Sequence, residues 1–228
     1  MDKTRHIFVL LAFLLIGSTF IPCVYAEEAS IGPAAKFFTD MPLSVMEMIS
    51  RSKRMDMLDY YEADSIYHAP NGMEGFSYLE KVTPTYLKLS LTPVSTMSVA
   101  VLPLKNDTIY QCIYTLGSDT QAHDSEIKFY DKNYNDLNTK NYIALPGLKS
   151  FVHTSSKKKK GDIAMIERAI PFPTITYSFD PETSVLTARL TSEELIGKEG
   201  YNKVSGFLKT EICYIWNGKR YELQKSLK

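Results

Sequence analysis

One stretch of this chain, Phe37 to Tyr61 (FFTDMPLSVMEMISRSKRMDMLDYY), is long enough and periodic enough to be helical, and most of the chain beyond it breaks into short strand-like runs. Such a chain folds as α+β, with the helical part covering a sheet, because the βα alternation that a parallel sheet needs is missing. Pro42 marks the helix start, with Thr39 or Asp40 just ahead of it as cap. Proline is tolerated in a first turn, and a short oxygen side chain can accept a free backbone N–H. Val45, Met46 and Ile49 share one face. Ser50 or Ser52 can cap a second segment in which Met55 with Leu58, and Met57 with Tyr61, fall at helical spacing. The expectation is a helical pair over Met41 to Tyr61, docked through Met46, Ile49, Met55 and Leu58.

Beyond Asp64 the period changes. Pro70-Asn71-Gly72 and Gly75 form a turn-rich connection, and Tyr86 to Leu91 alternates as a half-buried strand does. Met97 to Leu104 and Thr108 to Leu116 flank Lys105-Asn106-Asp107 as a hairpin, and Glu126 to Tyr130 adds a strand. Thr174 to Phe179 and Ser184 to Leu190 flank the turn Asp180-Pro181-Glu182-Thr183. Phe207 to Trp216 and Lys219 to Gln224 flank Asn217-Gly218, which as a two-residue loop sets Tyr214 opposite Tyr221. Ser155 to Asp162, with four consecutive lysines, reads as a solvated loop, and Ser192 to Leu195 as at most one helical turn. The expected architecture is therefore an N-terminal helical pair packed on an antiparallel β-sheet built from consecutive hairpins. The helical lid and first hairpins occupy 27–150, and the C-terminal hairpins, continuous with the same domain, occupy 151–228.

Residues 1–26 read as a secretory signal peptide. Lys3 and Arg5 precede the apolar run Ile7 to Ile16, and Val24-Tyr25-Ala26 carries small residues at the two positions that a signal peptidase reads. The run is interrupted too early, by Gly17, Ser18 and Thr19, to make a stable membrane span. Cys23 lacks the small residues that lipidation needs ahead of it. The chain is thus expected to be exported, periplasmic or extracellular, and to begin at Glu27. Its formal net charge of zero gives no reason to expect a nucleic-acid partner.

Phe37-Phe38 and Met41-Pro42, then Arg54-x-Asp56-Met57-Leu58-Asp59-Tyr60-Tyr61, Leu102-Pro103, and Asp124-Ser125 ahead of Phe129-Tyr130-Asp131, together resemble a Bacteroidales family of exported proteins known only as a domain of unknown function. The resemblance implies secretion and brings no activity or catalytic residue with it.

The chemical motifs exclude more than they assign. His68, His123 and His153 are not at metal-ligand spacing, no C-x-x-C pair is present, and no cofactor motif is found. His123-Asp124-Ser125 holds the residue types of a hydrolase triad, but consecutive residues cannot converge as a relay. Asp131 to Asp136 begins like a calcium loop and fails at the sixth position, where Asp136 replaces glycine, and at the twelfth, Tyr142. The candidate binding residues are Arg54, Asp56, Asp59, Tyr60 and Tyr61, where charge and aromatic faces meet on one helix. The fifteen tyrosines could also supply a platform for sugars or proteins, although strands favour tyrosine for packing. Cys112 and Cys213 are the only cysteines after the expected signal peptide, and in an oxidising compartment they are candidates for a disulfide, the alternative being two unpaired thiols each shielded by local packing. The function read from these residues is a non-enzymatic binding protein of the cell envelope or periplasm, with an envelope protein or glycan as partner. The alternatives are a glycan hydrolase using a carboxylate pair from Asp56, Asp59 or Asp124, and a purely structural envelope component.

Overall fold

The computed structural model describes residues 32–117, 123–153, 155 and 160–224. The expected signal peptide, Cys23 and most of the lysine run lie outside the described residues. Two helices come first, α1 (Pro33–Asp40) and α2 (Arg51–Glu62). The strands β1 (Ala69–Pro70), β2 (Phe76–Thr83), β3 (Tyr86–Thr92), β4 (Ser95–Pro103), β5 (Thr108–Leu116), β6 (Asp124–Tyr130) and β7 (Asp136–Leu137) form an antiparallel sheet in chain order. Short helices α3 (Leu148–Phe151) and α4 (Lys160–Ala169) lead to the second sheet. That sheet holds β8 (Ile175–Asp180), β9 (Val185–Leu190), β10 (Glu211–Trp216) and β11 (Tyr221–Leu223), in the order β11-β10-β9-β8. Between β9 and β10 lie α5 (Ser192–Ile196) and α6 (Lys198–Asn202).

The first sheet is the middle layer. On one face Leu79, Leu87, Leu89, Met97, Val99 and Cys112 pack with Phe37, Phe38, Met57 and Leu58 of α1 and α2. On the other, Leu102, Ile109, Ile113, Ile127 and Phe129 share a core with Ile175, Leu186, Ala188, Ile212 and Trp216 of the second sheet. A strand covered on both faces has no wet side. β3 is accordingly buried at Tyr86, Leu87, Leu89, Ser90 and Leu91, where a half-buried strand was expected.

Polar groups join the sheets at their borders. The Asp124 carboxylate accepts the backbone N–H of Ile175 at 3.1 Å, and Ser125 Oγ accepts that of Tyr177 at 3.2 Å. Two donors on the free edge of β8 are satisfied in this way, as buried backbone groups must be. Trp216 donates its indole N–H to the Pro103 carbonyl at 2.8 Å, and Tyr221 donates its hydroxyl to Gln111 Oε1 at 2.6 Å.

These expectations need correction. The first helix runs over Pro33–Asp40 and starts behind Gly32, not at Pro42, and Met41 to Ser50 is an irregular connection. Gly32 permits this start because a Cβ there would lie 2.2 Å from Pro84 Cα. On α2 the buried residues are Arg54, Met57 and Leu58, whereas Met55, assigned to the core, is 42% exposed. The C-terminal hairpin pairs Trp216 with Tyr221 and Tyr214 with Leu223, leaving four residues in its loop. The Asn217 side chain holds that loop by accepting the N–H groups of Lys219 and Arg220. A shift of two residues keeps facing parity, so Ile212, Tyr214, Trp216 and Tyr221 stay buried while Leu223 is exposed. Finally, Cys112 and Cys213 are both free thiols. They lie in different sheets, Cys112 opposite Val99 and Lys128 and Cys213 opposite Thr187.

The segment before the C-terminal sheet also differs from expectation. Lys160, placed in a solvated loop, opens α4, which buries Ile166. The strand β2 comes after the turn-rich connection, and its bulge between Leu79 and Lys81 interrupts the alternation that would have marked it.

Candidate functional site

The α1–α2 corner carries the residues that the sequence singled out, and the structure separates them into two groups. Arg54 is 1% exposed. Its guanidinium donates to the carbonyls of Ile49 at 2.9 Å and Thr39 at 3.0 Å, and also to that of Met41. The C-terminal carbonyls of a helix lack intrahelical donors, so Arg54 closes the end of α1 while fixing the entry to α2. It lies 5.8 Å from the centroid of the Phe38 ring. Burial draws its pKa below the ordinary arginine value, and no carboxylate pairs with it among the described residues. Arg54 holds the corner together and is not available to a ligand. Tyr61 is structural as well, its hydroxyl accepting the Val82 N–H at 3.2 Å and so tying α2 to β2.

Asp56, Asp59 and Tyr60 remain accessible. Tyr60, 51% exposed, stacks on Tyr67 with ring centroids 5.1 Å apart. Asp59 borders a groove of about 260 Å³ between the helices, lined also by Lys36, Thr39, Asp40, Arg51, Met55 and Leu58. Asp40 receives Lys36 Nζ at 2.8 Å and Arg51 Nη2 at 2.9 Å. The hydrogen bond from Lys36, then that from Arg51, hold its carboxyl below the usual aspartate value. Arg51 Nη1 also lies 3.2 Å from the Met55 sulfur. Lys36 and Arg51 thus share the single Asp40 carboxylate, a trio with one positive charge in excess, and Asp59 is the groove carboxylate with no salt-bridge partner among the described residues. Met55 and Leu58 supply the apolar floor.

The groove thus sets an apolar floor beside a carboxylate. A glycosidase needs one carboxyl group that keeps its proton near neutrality. Asp40 is driven the other way, and Asp124 spends one oxygen on the backbone N–H groups of Ser125 and Ile175. The remaining motifs resolve structurally. Asp131 accepts the N–H groups of Asn133 and Asn135, making a polar turn, and the described residues hold no cluster of three metal-ligating side chains. The tyrosines mainly fill the core: Phe37 stacks on Tyr110 at 3.9 Å, and Tyr86, Tyr130, Tyr177, Tyr201, Tyr214 and Tyr221 are buried.

Sequence reasoning missed Lys36, Asp40 and Arg51 as parts of this groove. Pro33 behind Gly32, and the i,i+4 spacing of Lys36 and Asp40, were the available signals for a helix ahead of Met41.

Comparison with known proteins places residues 28–221 within the model of a family described as protein of unknown function (DUF3256). A solved structure of a domain of an uncharacterized protein from Porphyromonas gingivalis W83 has a similar fold. It is 18% identical, with a TM-score of 0.73 over 85% of this chain and 98% of that one. No curated protein matches the chain. Among the described residues no helix is long and apolar enough to cross a membrane.

Proposed function

We propose for this chain, which belongs to the DUF3256 family of proteins of unknown function, the role of an exported, non-enzymatic binding protein of the bacterial envelope. Export is supported by Lys3, Arg5 and the apolar run Ile7 to Ile16, and by a family match that begins at residue 28, just past the expected cleavage after Ala26. The similar structure from Porphyromonas gingivalis, a member of the Bacteroidales, supports a role in that group of bacteria.

The observation that carries the binding role is the α1–α2 groove, with an apolar floor, a rim where Lys36 and Arg51 are both engaged by Asp40, and a carboxylate, Asp59, without a salt-bridge partner among the described residues. Its occupant is a segment of an envelope protein, an apolar side chain seated on Met55 and Leu58 with a lysine or arginine beside it facing Asp59. Methionine suits such a floor because its flexible thioether adapts to the shape above it.

The test is a binding titration with synthetic peptides in which a central leucine is flanked by lysine or by glutamate. The lysine-flanked peptide should bind, weaken about tenfold with Asp59→Asn, and fail with Met55→Glu. Equal binding of both peptides, or binding of neutral glycans alone, would remove the reading. N-terminal sequencing of secreted material should begin Glu27-Glu28-Ala29.

A further inference from the structure

The strands β9 and β10 pair directly, with Arg189 opposite Glu211, and beyond that pair the Leu190 N–H donates to the Thr210 carbonyl at 3.0 Å. Strands joined so closely need a loop of only about two to five residues. The connection here runs over 191–210 and carries α5 and α6. Together with the strand ends it lines a hollow of about 680 Å³, within the size range of small-ligand sites. Binding residues concentrate on such connections because a rigid scaffold sets their positions.

The charges around this hollow are held apart. Glu194 and Lys198 stand at i and i+4, the spacing at which opposite charges pair on a helix. Gly197 separates them. It lies between α5 and α6 at φ 77° and ψ 155°, a backbone conformation essentially confined to glycine, and so ends one helix and starts the other. Glu193, Glu194 and Lys198 all line the hollow, and none has a salt-bridge partner among the described residues. Arg189 lines it as well, held by Glu211 through a contact of 3.4 Å between exposed groups. The buried member of the lining is Tyr201, 7% exposed, whose ring belongs to the core between the sheets while its hydroxyl has no hydrogen-bond partner among the described residues. A buried phenol ordinarily has one. Burial, then the charge of Glu193, raise its pKa, so this hydroxyl keeps its proton and is a donor.

Charges of both signs on one hollow select its ligand. An anionic ligand would meet Glu193 and Glu194, a cationic one would meet Lys198 and Arg189, and a neutral sugar would cover all four without giving any of them a counter-charge. A molecule that carries both an ammonium and a carboxylate matches the whole set. We propose that this hollow binds a short zwitterionic peptide of about two or three residues, the size that the volume admits. Its ammonium lies on Glu193 and Glu194, its carboxylate on Lys198 beside Arg189, and the Tyr201 hydroxyl donates to a peptide oxygen. The site shares no residue with the α1–α2 groove, and it stands whether or not that groove binds.

The experiment titrates the full chain, as its own cells process it, with dialanine and trialanine, followed by amide chemical shifts. Both peptides should give saturable shifts centred on 189–201 and Thr210. The N-acetylated peptides and the peptide amides, which lack one charge each, should bind about tenfold more weakly. Glu193→Gln combined with Glu194→Gln should weaken the free peptides about tenfold and leave the N-acetylated ones where they were, and Lys198→Gln should do the same with respect to the amides. Tyr201→Phe, which keeps the ring in the core, should weaken the free peptides about fivefold with the shift pattern of the fold retained. The proposal is overturned if neither free peptide shifts these amides, if the blocked peptides bind as well as the free ones, or if the charge variants weaken free and blocked peptides equally.

Discussion

Arg54 shows how one side chain can be mistaken for a ligand group when its surroundings are not visible. From the sequence it is a cation on a charged helix, whereas in the fold its guanidinium serves three carbonyls that would otherwise lack donors. Arg54→Ala should therefore cost about 3–5 kcal/mol in urea unfolding, the range for removing one partner from a buried charged network. Asp40 acts at the rim. Lys36 and Arg51 lower its pKa, so the folded chain binds fewer protons there than the unfolded one. Its contribution to stability is present above the ordinary aspartate value of about 3.9 and is lost as pH falls through the lower folded value. The stability difference between wild type and Asp40→Asn should therefore be constant from pH 7 to pH 5 and shrink below about pH 4. The cysteines are equally local. Burial pushes the Cys112 thiol up, and Cys213 is half-buried on the outer side of β10. Native protein should expose one reactive thiol, lost in Cys213→Ser, and the chain beginning at Glu27 should show two after unfolding. A chain with none would restore the disulfide.

At the scale of elements, the second helix was legible in the sequence, whereas the first was placed over Met41 to Ile49, which is irregular, and α1 lies ahead of it at Pro33–Asp40. Periodicity placed Met46, Ile49 and Leu58 inside, where they are, and also Met55, which lies over the groove. Both Met55 and Met57 fit a stripe of helical period, and only the angle at which α2 meets α1 and β2 selects between them. Leu58→Ala should destabilise by about 2–5 kcal/mol and Met55→Ala by less than about 1, measured by chemical denaturation. Similar losses at the two positions would mean that the other face of α2 is buried. The hairpins follow the same division. The strands at Thr108–Leu116 and Val185–Leu190 were marked by β-branched and aromatic runs, and the turn at Asn217-Gly218 by its residue types. The loop length was not marked, because the pairing of Tyr214 depends on where Trp216 and Tyr221 meet Pro103 and Gln111 of the other sheet.

In the whole molecule, the seam between the sheets explains a pair of residues that the sequence could only flag as a shared motif. Asp124 and Ser125 are acceptors for the edge of β8. Asp124→Ala should accelerate hydrogen exchange at the Ile175 amide, and Ser125→Ala at Tyr177, with amides in the middle of β3 and β4 unchanged. A uniform acceleration across both sheets would show instead that the seam is not a local feature. Several properties come from the sequence by itself: the α+β class, the antiparallel hairpins, and the lack of familiar metal and triad spacings. These depend on spacing along the chain, and short-range sterics and hydrogen bonding enforce them. The tertiary structure alone decided that a second sheet covers the first, that Arg54 and Tyr61 are structural, and that the cysteines lie in separate sheets. Each of these is a relation between residues far apart in sequence, set by which surfaces bury one another, and no local pattern encodes that choice.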